Sequence, residues 1–480
     1  MIQFLLNNRL ITEHELDPNL TVLNYLRGQQ QRRGTKEGCA SGDCGACTVT
    51  LGKVVEGKMH YQAVNSCLTL VSSLQGKQLI TVEDLKQDGE LHSVQQAMVD
   101  CHGSQCGYCT PGFVMSLFTL QKNSQSWDRH QAEQALAGNL CRCTGYRPIM
   151  DAAQQACASS TNDEFSDNAA ALVQRLQALS SDEVQSIEAN GSRCYLPKTV
   201  AQLAALYQQH PEARLVAGGT DLTLQITQQY KRLPLLIALE QIDELKHCSE
   251  DAESFHLGAA ASLHHCYQFL APHIPAFSDM LERFASLQIR NQGTLGGNIG
   301  NASPIGDGAP MLLSLNARLV LQQGDNLREV PLDQFFTAYR QTVLQAGEFI
   351  RTIIIPKVTL SPNFAAWKVA KRLDDDISAV FAAINLQIES GLVVEARLAF
   401  GGMAATPKRA LAAEAELLGQ PLNLTSIEKA CAALGRDFQP LSDFRASADY
   451  RLQVARNLLR RYYAQACGEL TIAEVSRYVS

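Results

Sequence analysis

Cys39-Ala-Ser-Gly-Asp-Cys44-Gly-Ala-Cys47, joined by Cys67 after nineteen intervening residues, decides how the first part of the chain folds. The spacing is C-x4-C-x2-C with a distant fourth cysteine, the plant-type arrangement for a 2Fe–2S cluster. Three thiolates on one tight loop turn inward toward two irons, and a fourth from elsewhere closes the cage. Glycines at 38, 42 and 45 punctuate the loop and let main-chain N–H groups approach the sulfurs. The competing reading is zinc or a group of reduced structural cysteines, which this four-thiol spacing disfavours.

The flanks suit such a loop. Ile2, Phe4 and Leu6 alternate, Asn7-Asn8 marks a turn and Ile11 opens a return strand. Residues 21–27 suggest a short helix. Thr48-Val-Thr-Leu and Met59 to Val64 suggest a hairpin, so residues 1–84 are expected to form a ferredoxin-like β-rich domain. Helical periodicity then takes over: Val94, Ala97, Met98 and Cys101 share one face. Thr110 and Pro111 suit the start of a helix through Val114, Leu117 and Phe118. Further helices are expected near 128–136 and 149–156. Between them lie Cys106-Gly-Tyr-Cys109 and Cys141-Arg-Cys143, four more thiols within residues 85–157. Taken alone, this second set suits tetrahedral zinc as well as a cluster.

The chain of 480 residues is 46% hydrophobic and 19% charged, with net charge −7. That composition builds several domains with substantial cores. With no basic stripe, it argues against nucleic-acid binding. No apolar run reaches the roughly 18 residues of a membrane span, and residues 1–9 lack a secretory pattern. Fifteen cysteines without such a pattern indicate a reducing, cytoplasmic setting in which thiols bind metal. Outside the two sets, Cys101, Cys157, Cys194, Cys248, Cys266, Cys431 and Cys467 read as small buried hydrophobes.

Residues 158–190 begin polar and acidic and read as a connector, with one helix near 172–179. Two glycine clusters follow. Leu215-Val216-Ala-Gly218-Gly219-Thr220-Asp221-Leu222 is a strand running into a tight turn whose N–H groups suit a pyrophosphate. Thr294-Leu-Gly-Gly-Asn298 through Ser303 to Asp307 supplies a second turn, polar donors and one carboxylate suited to a ribose hydroxyl. No G-x-G-x-x-G occurs, so a Rossmann site is not indicated. As bare turns, glycine pairs are structural about as often as functional. Further on, Phe381 to Ile388 and Leu392 to Phe400 read as paired strands, followed by helices.

Gln105-Cys106-Gly-Tyr-Cys109-Thr-Pro-Gly and Asn139-Leu-Cys141-Arg-Cys143-Thr-Gly-Tyr-Arg-Pro, together with the first cysteine set, resemble the xanthine oxidase and molybdenum hydroxylase family. The resemblance covers nearly the whole chain. It implies an α+β multidomain protein with a β-grasp 2Fe–2S domain (1–84) and a four-helix 2Fe–2S domain (85–157). After the linker (158–190) it implies a two-subdomain FAD-binding domain (191–362) and a C-terminal flavoprotein subdomain (363–480). Cys39, Cys44, Cys47 and Cys67 would hold one cluster, and Cys106, Cys109, Cys141 and Cys143 the other. The flavin contacts it implies are Leu215, Val216, Gly218, Gly219, Thr220, Asp221, Leu222, Phe284, Thr294, Asn298, Ser303, Asp307, Ile350 and Lys368. Family members often carry Asn where this chain has Gly219. The loop Lys371–Asp376 and Tyr339 match positions near the flavin and the nicotinamide. On charge alone, that loop is a solvated one.

The resemblance further implies an electron-transfer subunit of a two-chain, bacterial-type enzyme. A large molybdopterin-binding partner would feed electrons through both clusters to FAD and on to NAD+, and the heterodimer would pair into a larger symmetric complex. Substrate specificity would then lie on the partner, so an aldehyde or other N-heterocycle hydroxylase is the near alternative. A ferredoxin-like scaffold or regulatory protein without a catalytic flavin is the alternative from another class.

Overall fold

The computed structural model describes residues 1–158 and 163–468. Part of the expected connector, 159–162, and the end of the expected last subdomain, 469–480, lie outside the described residues. The chain divides into two compact units, one of Met1–Asp243 with Ala285–Gly293 and one of Glu244–Phe284 with the chain from Thr294 on.

The first unit opens with a five-stranded sheet. Its order is Arg9–Glu13, Ile2–Leu6, Gln78–Ile80, Thr48–Val55, Lys58–Asn65, with Ile2–Leu6 and Gln78–Ile80 parallel. The alternation at the N-terminus does what it implies: Ile2, Phe4 and Leu6 face a core closed by Val22, Tyr25 and Leu26. Burying each such side chain contributes about 1.5–3 kcal/mol. Asn7 makes the expected turn in the left-handed region, at φ 52°. Thr21 caps the short helix Val22–Asn24 through the N–H of Asn24. This sheet folded over a helix is the expected β-grasp domain.

Four helices follow: Ser93–Asp100, Thr110–Asn123, Arg129–Leu136 and Arg147–Ala158. They surround a core that includes Val94, Ala97, Met98, Phe113, Leu117, Phe118, Ala132 and Ile149. The sequence puts Thr110 at the cap of the second helix, but Cys109 occupies that position and Thr110 begins the helix. The expected connector is more structured than its composition suggests. Helices Glu164–Asp167 and Ala169–Gln177 lie within it, Phe165 joins the helical core, and Leu172, Leu176 and Leu179 pack with Leu5. A second sheet completes the unit, in the order Gln185–Ala189, Ser192–Leu196, Leu235–Ala238, Arg214–Val216. Its Ile187, Cys194, Leu196, Val216 and Leu236 share the core of the first sheet.

The second unit contains a five-stranded sheet, in the order Cys248–Glu250, Ser254–Gly258, Phe349–Pro356, Arg318–Gln323, Asn326–Pro331. The expected strand pair appears as Val380–Glu389 antiparallel to Leu392–Gly401, within a four-stranded sheet. Helices Leu424–Asp437 and Ala448–Ala466 follow and pack Ile427, Leu434, Leu458 and Leu459 into its core. No helix among the described residues is long and apolar enough to cross a membrane.

Candidate cofactor sites

The first cysteine set gathers as the spacing requires. The Cys44 thiol hydrogen-bonds Cys39 and the Cys67 thiol hydrogen-bonds Cys47, and the charge on Cys39 is felt at both Cys47 and Cys67. Cys47 and Cys67 are buried, Cys39 and Cys44 partly so. The N–H groups of Ser41 and Asp43 each donate to Cys39 Sγ at 3.4 Å. The bond from Cys44, aided by Ser41 against the effect of burial, brings the Cys39 thiol down to about 4. Cys47 is lowered by its bond from Cys67, while Cys44 and Cys67 are raised as the donors.

The second set pairs in the same way. Cys109 donates to Cys141 and Cys143 to Cys106. Burial opposes ionisation of Cys141, but the Thr144 hydroxyl at 3.3 Å and the N–H groups of Thr144 and Cys143 outweigh it and bring the thiol to about 7. Cys109 is pushed up to about 12 by burial and by its bond to Cys141. Cys106 and Cys143 are exposed. Tyr146, left-handed at φ 69°, accepts the N–H of Cys141 on its hydroxyl at 3.0 Å, so the strained backbone serves the cysteine loop.

The two cysteine loops touch. The N–H of Leu140 donates to the carbonyl of Cys44 at 3.0 Å. Asn139 donates to Gly45 O at 3.0 Å and accepts from the Ser116 hydroxyl at 2.7 Å and the Gln288 amide at 3.0 Å. Gly45 is at φ 66°, and a Cβ there would lie 2.3 Å from Gly138 O. Only glycine allows that approach.

Both sets therefore present thiols two and two. Thiols with N–H donors aimed at their sulfurs, as at Cys39 and Cys141, suit the thiolate ligands of a cluster.

The implied flavin residues divide between the units. Leu215 to Leu222 lie in the first unit, and Phe284, Thr294, Asn298, Ser303, Asp307, Ile350 and Lys368 in the second. In the first, strand Arg214–Val216 ends in a turn with Gly219 at φ 73°. The N–H groups of Gly218, Gly219, Thr220, Asp221 and Leu222 have no protein acceptor among the described residues. Such a run fits an anionic pyrophosphate. In the second unit Thr294 caps the helix Leu295–Gly300 through the N–H of Gly297, and Ser303 accepts from Ile305 N–H. Asn298 Oδ1 is buried without a partner, an acceptor held ready for a donor. Asp307 is not free for a ribose: its oxygens take Lys368 Nζ at 2.6 Å and the Ser378 hydroxyl at 2.7 Å, and Lys368 also donates to Ser378 at 3.2 Å. Ile350 is buried and Phe284 half-buried against the core of this unit.

Tyr339 is 60% exposed. In the Lys371–Asp376 loop, Lys371 Nζ donates to Phe444 O at 2.8 Å, and Lys371, Asp376, Ile377, Ala379, Phe444 and Arg445 line a cavity of about 160 Å³. Of the seven other cysteines, Cys194, Cys266 and Cys431 are buried as expected. Cys101, Cys157 and Cys248 are only partly covered, and Cys467 is exposed.

Asn139, Thr144 and Tyr146 stand inside the quoted motif, yet their contacts with the cysteine loops depend on the fold. Ser378, Thr223 and Gln288 carry no sequence signal; only three-dimensional packing reveals them.

Family profiles cover most of the chain. A 2Fe-2S iron-sulfur cluster binding domain matches residues 7–72 and a 2Fe-2S binding domain 81–154. The FAD binding domain in molybdopterin dehydrogenase matches 186–358, and the CO dehydrogenase flavoprotein C-terminal domain 365–466. The chain is 34% identical to xanthine dehydrogenase of Drosophila subobscura over 90% of its own length, and spans 37% of that relative. Carbon monoxide dehydrogenase of Hydrogenophaga pseudoflava superposes with a TM-score of 0.53 at 27% identity, covering 56% of this chain and 94% of that one. Quinoline 2-oxidoreductase of Pseudomonas putida 86 gives 0.53 at 25% identity, covering 57% and 96%.

Proposed function

The chain belongs to the xanthine oxidase and molybdenum hydroxylase family as its iron–sulfur and FAD-binding part, and from that premise we propose that it is the electron-transfer subunit of a xanthine dehydrogenase. The observation that carries the reading is the contact of two four-cysteine loops, Leu140 N–H on Cys44 O, in the same unit as the N–H-rich turn at Gly218–Leu222. On this reading the domains run 1–84, 85–157, 191–362 and 363–480, with 158–190 connecting them. The protein works in the cytoplasm as a heterodimer with a molybdopterin-binding subunit, paired into a larger complex.

Cys39, Cys44, Cys47 and Cys67 would hold one cluster, and Cys106, Cys109, Cys141 and Cys143 the other. Leu215, Val216 and Gly218 to Leu222, with Phe284, Thr294, Asn298, Ser303, Ile350 and the Lys368–Asp307 pair, would hold FAD, Asp307 acting through Lys368 and not as a free ribose acceptor. Held by these residues, the clusters would supply one-electron chemistry and the flavin would supply the exchange between one-electron and two-electron chemistry, with NAD+ as the acceptor. The chain's own residues set the conditions. N–H and hydroxyl donors at Cys39 and Cys141 favour thiolate and stabilise added negative charge. Asn139 keeps the two cysteine loops in register. Lys368 pairs with Asp307 at 2.6 Å in a dry setting.

Co-expression with the molybdopterin-binding subunit tests the reading, with NAD+ reduction by hypoxanthine or xanthine as the expected result. A second reading is a hydroxylase of another substrate class, favoured by the similarity to carbon monoxide dehydrogenase and quinoline 2-oxidoreductase. Turnover with aldehydes, quinoline-type heterocycles or carbon monoxide, but not purines, selects it.

A further inference from the structure

Resting on the reading above, we propose that Thr223 and Gln228 are positioning residues that lock the pyrophosphate turn onto the first cysteine set and so fix the separation between flavin and first cluster.

Both side chains belong to the segment that leaves the glycine turn, and they grip the cysteine loops at two separate places. Thr223 is fully buried. Its N–H donates to Gly219 O at 2.8 Å, closing the turn. Its hydroxyl donates to Leu68 O at 3.0 Å, the carbonyl next along the chain from Cys67. The fit is tight, since a Cβ on Gly219 would lie 3.1 Å from Thr223 Oγ1 and 3.2 Å from Leu68 O. Leu224 then packs with Leu23, Cys47, Cys67 and Leu68.

One helical turn on, the Gln228 amide donates to Cys39 O at 3.1 Å and Ala40 O at 3.0 Å. Ala40 is left-handed at φ 52°, a conformation alanine resists. That kink aims the N–H groups of Ser41 and Asp43 at Cys39 Sγ. Gln228 thus secures the peptide whose geometry supplies N–H···S bonds, and Thr223 secures the peptide beside the fourth ligand. Together they hold the N–H-rich turn against the cysteine loop from both sides.

The experiment uses the full chain purified with its cofactors, as Thr223→Val (same shape, no donor), Thr223→Ser (donor kept) and Gln228→Leu. Expected for Thr223→Val and Gln228→Leu is normal iron and FAD content with amide exchange in residues 66–69 and 219–229 faster by roughly fivefold, the effect of one lost hydrogen bond. The spin coupling between flavin semiquinone and first cluster should weaken. The reduced-to-oxidised ratio of the first cluster at fixed potential should fall about threefold in Gln228→Leu, or ~30 mV for one electron. The second cluster's signal should stay unchanged, and Thr223→Ser should restore the coupling. Unchanged coupling and unchanged first-cluster signals in fully loaded variants overturn the proposal, as do equal shifts in both clusters, which would mean general loosening. A wild-type chain that loads neither clusters nor flavin overturns the function reading itself, and this inference with it.

Discussion

Breaking the buried Asp307–Lys368–Ser378 group should cost more than its three hydrogen bonds suggest. The Lys368 and Asp307 side chains are 3% and 4% exposed, and each is the other's charge partner. Lys368→Met strands a carboxylate with only the Ser378 hydroxyl for company, and Asp307→Asn strands an ammonium. Removing one partner of a buried pair costs about 3–5 kcal/mol, because the remaining charge cannot return to water. For a unit of roughly 200 residues that is a fall of about 10 °C in unfolding midpoint. Removing both charges in Asp307→Asn/Lys368→Met takes away the stranded ion, so the double variant should lie within about 1 kcal/mol of the parent. The assay is thermal unfolding of the flavin-free chain, followed by circular dichroism and combined as a double-mutant cycle. Single variants costing under about 1 kcal/mol, or a double variant as poor as the two singles summed, would refute the argument that an uncompensated charge dominates.

Three further outcomes follow from the same structure. Gly45→Ala puts a Cβ 2.3 Å from Gly138 O at a left-handed position and should reduce loading of both cysteine sets, read as iron per chain and visible circular dichroism. Thr144→Val removes the hydroxyl at 3.3 Å from Cys141 Sγ and should lower the second cluster's midpoint by roughly 20–60 mV, the equivalent of one hydrogen bond, with the first cluster unmoved in a potentiometric titration. At Asp163 burial favours the neutral acid, but bonds from His92, Lys122 and the Ser166 N–H win and hold the carboxyl well below its ordinary range. A depressed carboxyl stabilises the fold above its unfolded value near 4 and loses that contribution as pH falls through the folded value. The parent's unfolding free energy should therefore drop on acidification below about pH 4, while Asp163→Asn should flatten that limb and be about 2–4 kcal/mol weaker at pH 7.

The sequence was most informative where chemistry forces spacing. Three cysteines on a tight loop admit few metals and fewer folds, so Cys39 to Cys67 disclosed the β-grasp domain. Period-2 and period-3.6 patterns then located the first hairpins and the four helices. The connector was harder to read: its polar residues hide Phe165 and Leu172, whose burial depends on cores formed by distant segments. The glycine turns were legible as turns, while their partners were not. Asp307 looked like a free carboxylate because nothing in its neighbourhood announces Lys368, sixty-one residues away. Thr223 and Gln288 are ordinary residues until folding brings them against Leu68 and Asn139.

The most direct test of the account is elemental and cofactor analysis of the purified full chain. About four irons, four acid-labile sulfides and one FAD per chain are expected from two paired-thiol sites and one N–H-rich turn. Zinc in place of iron, with no sulfide and no flavin, would contradict it.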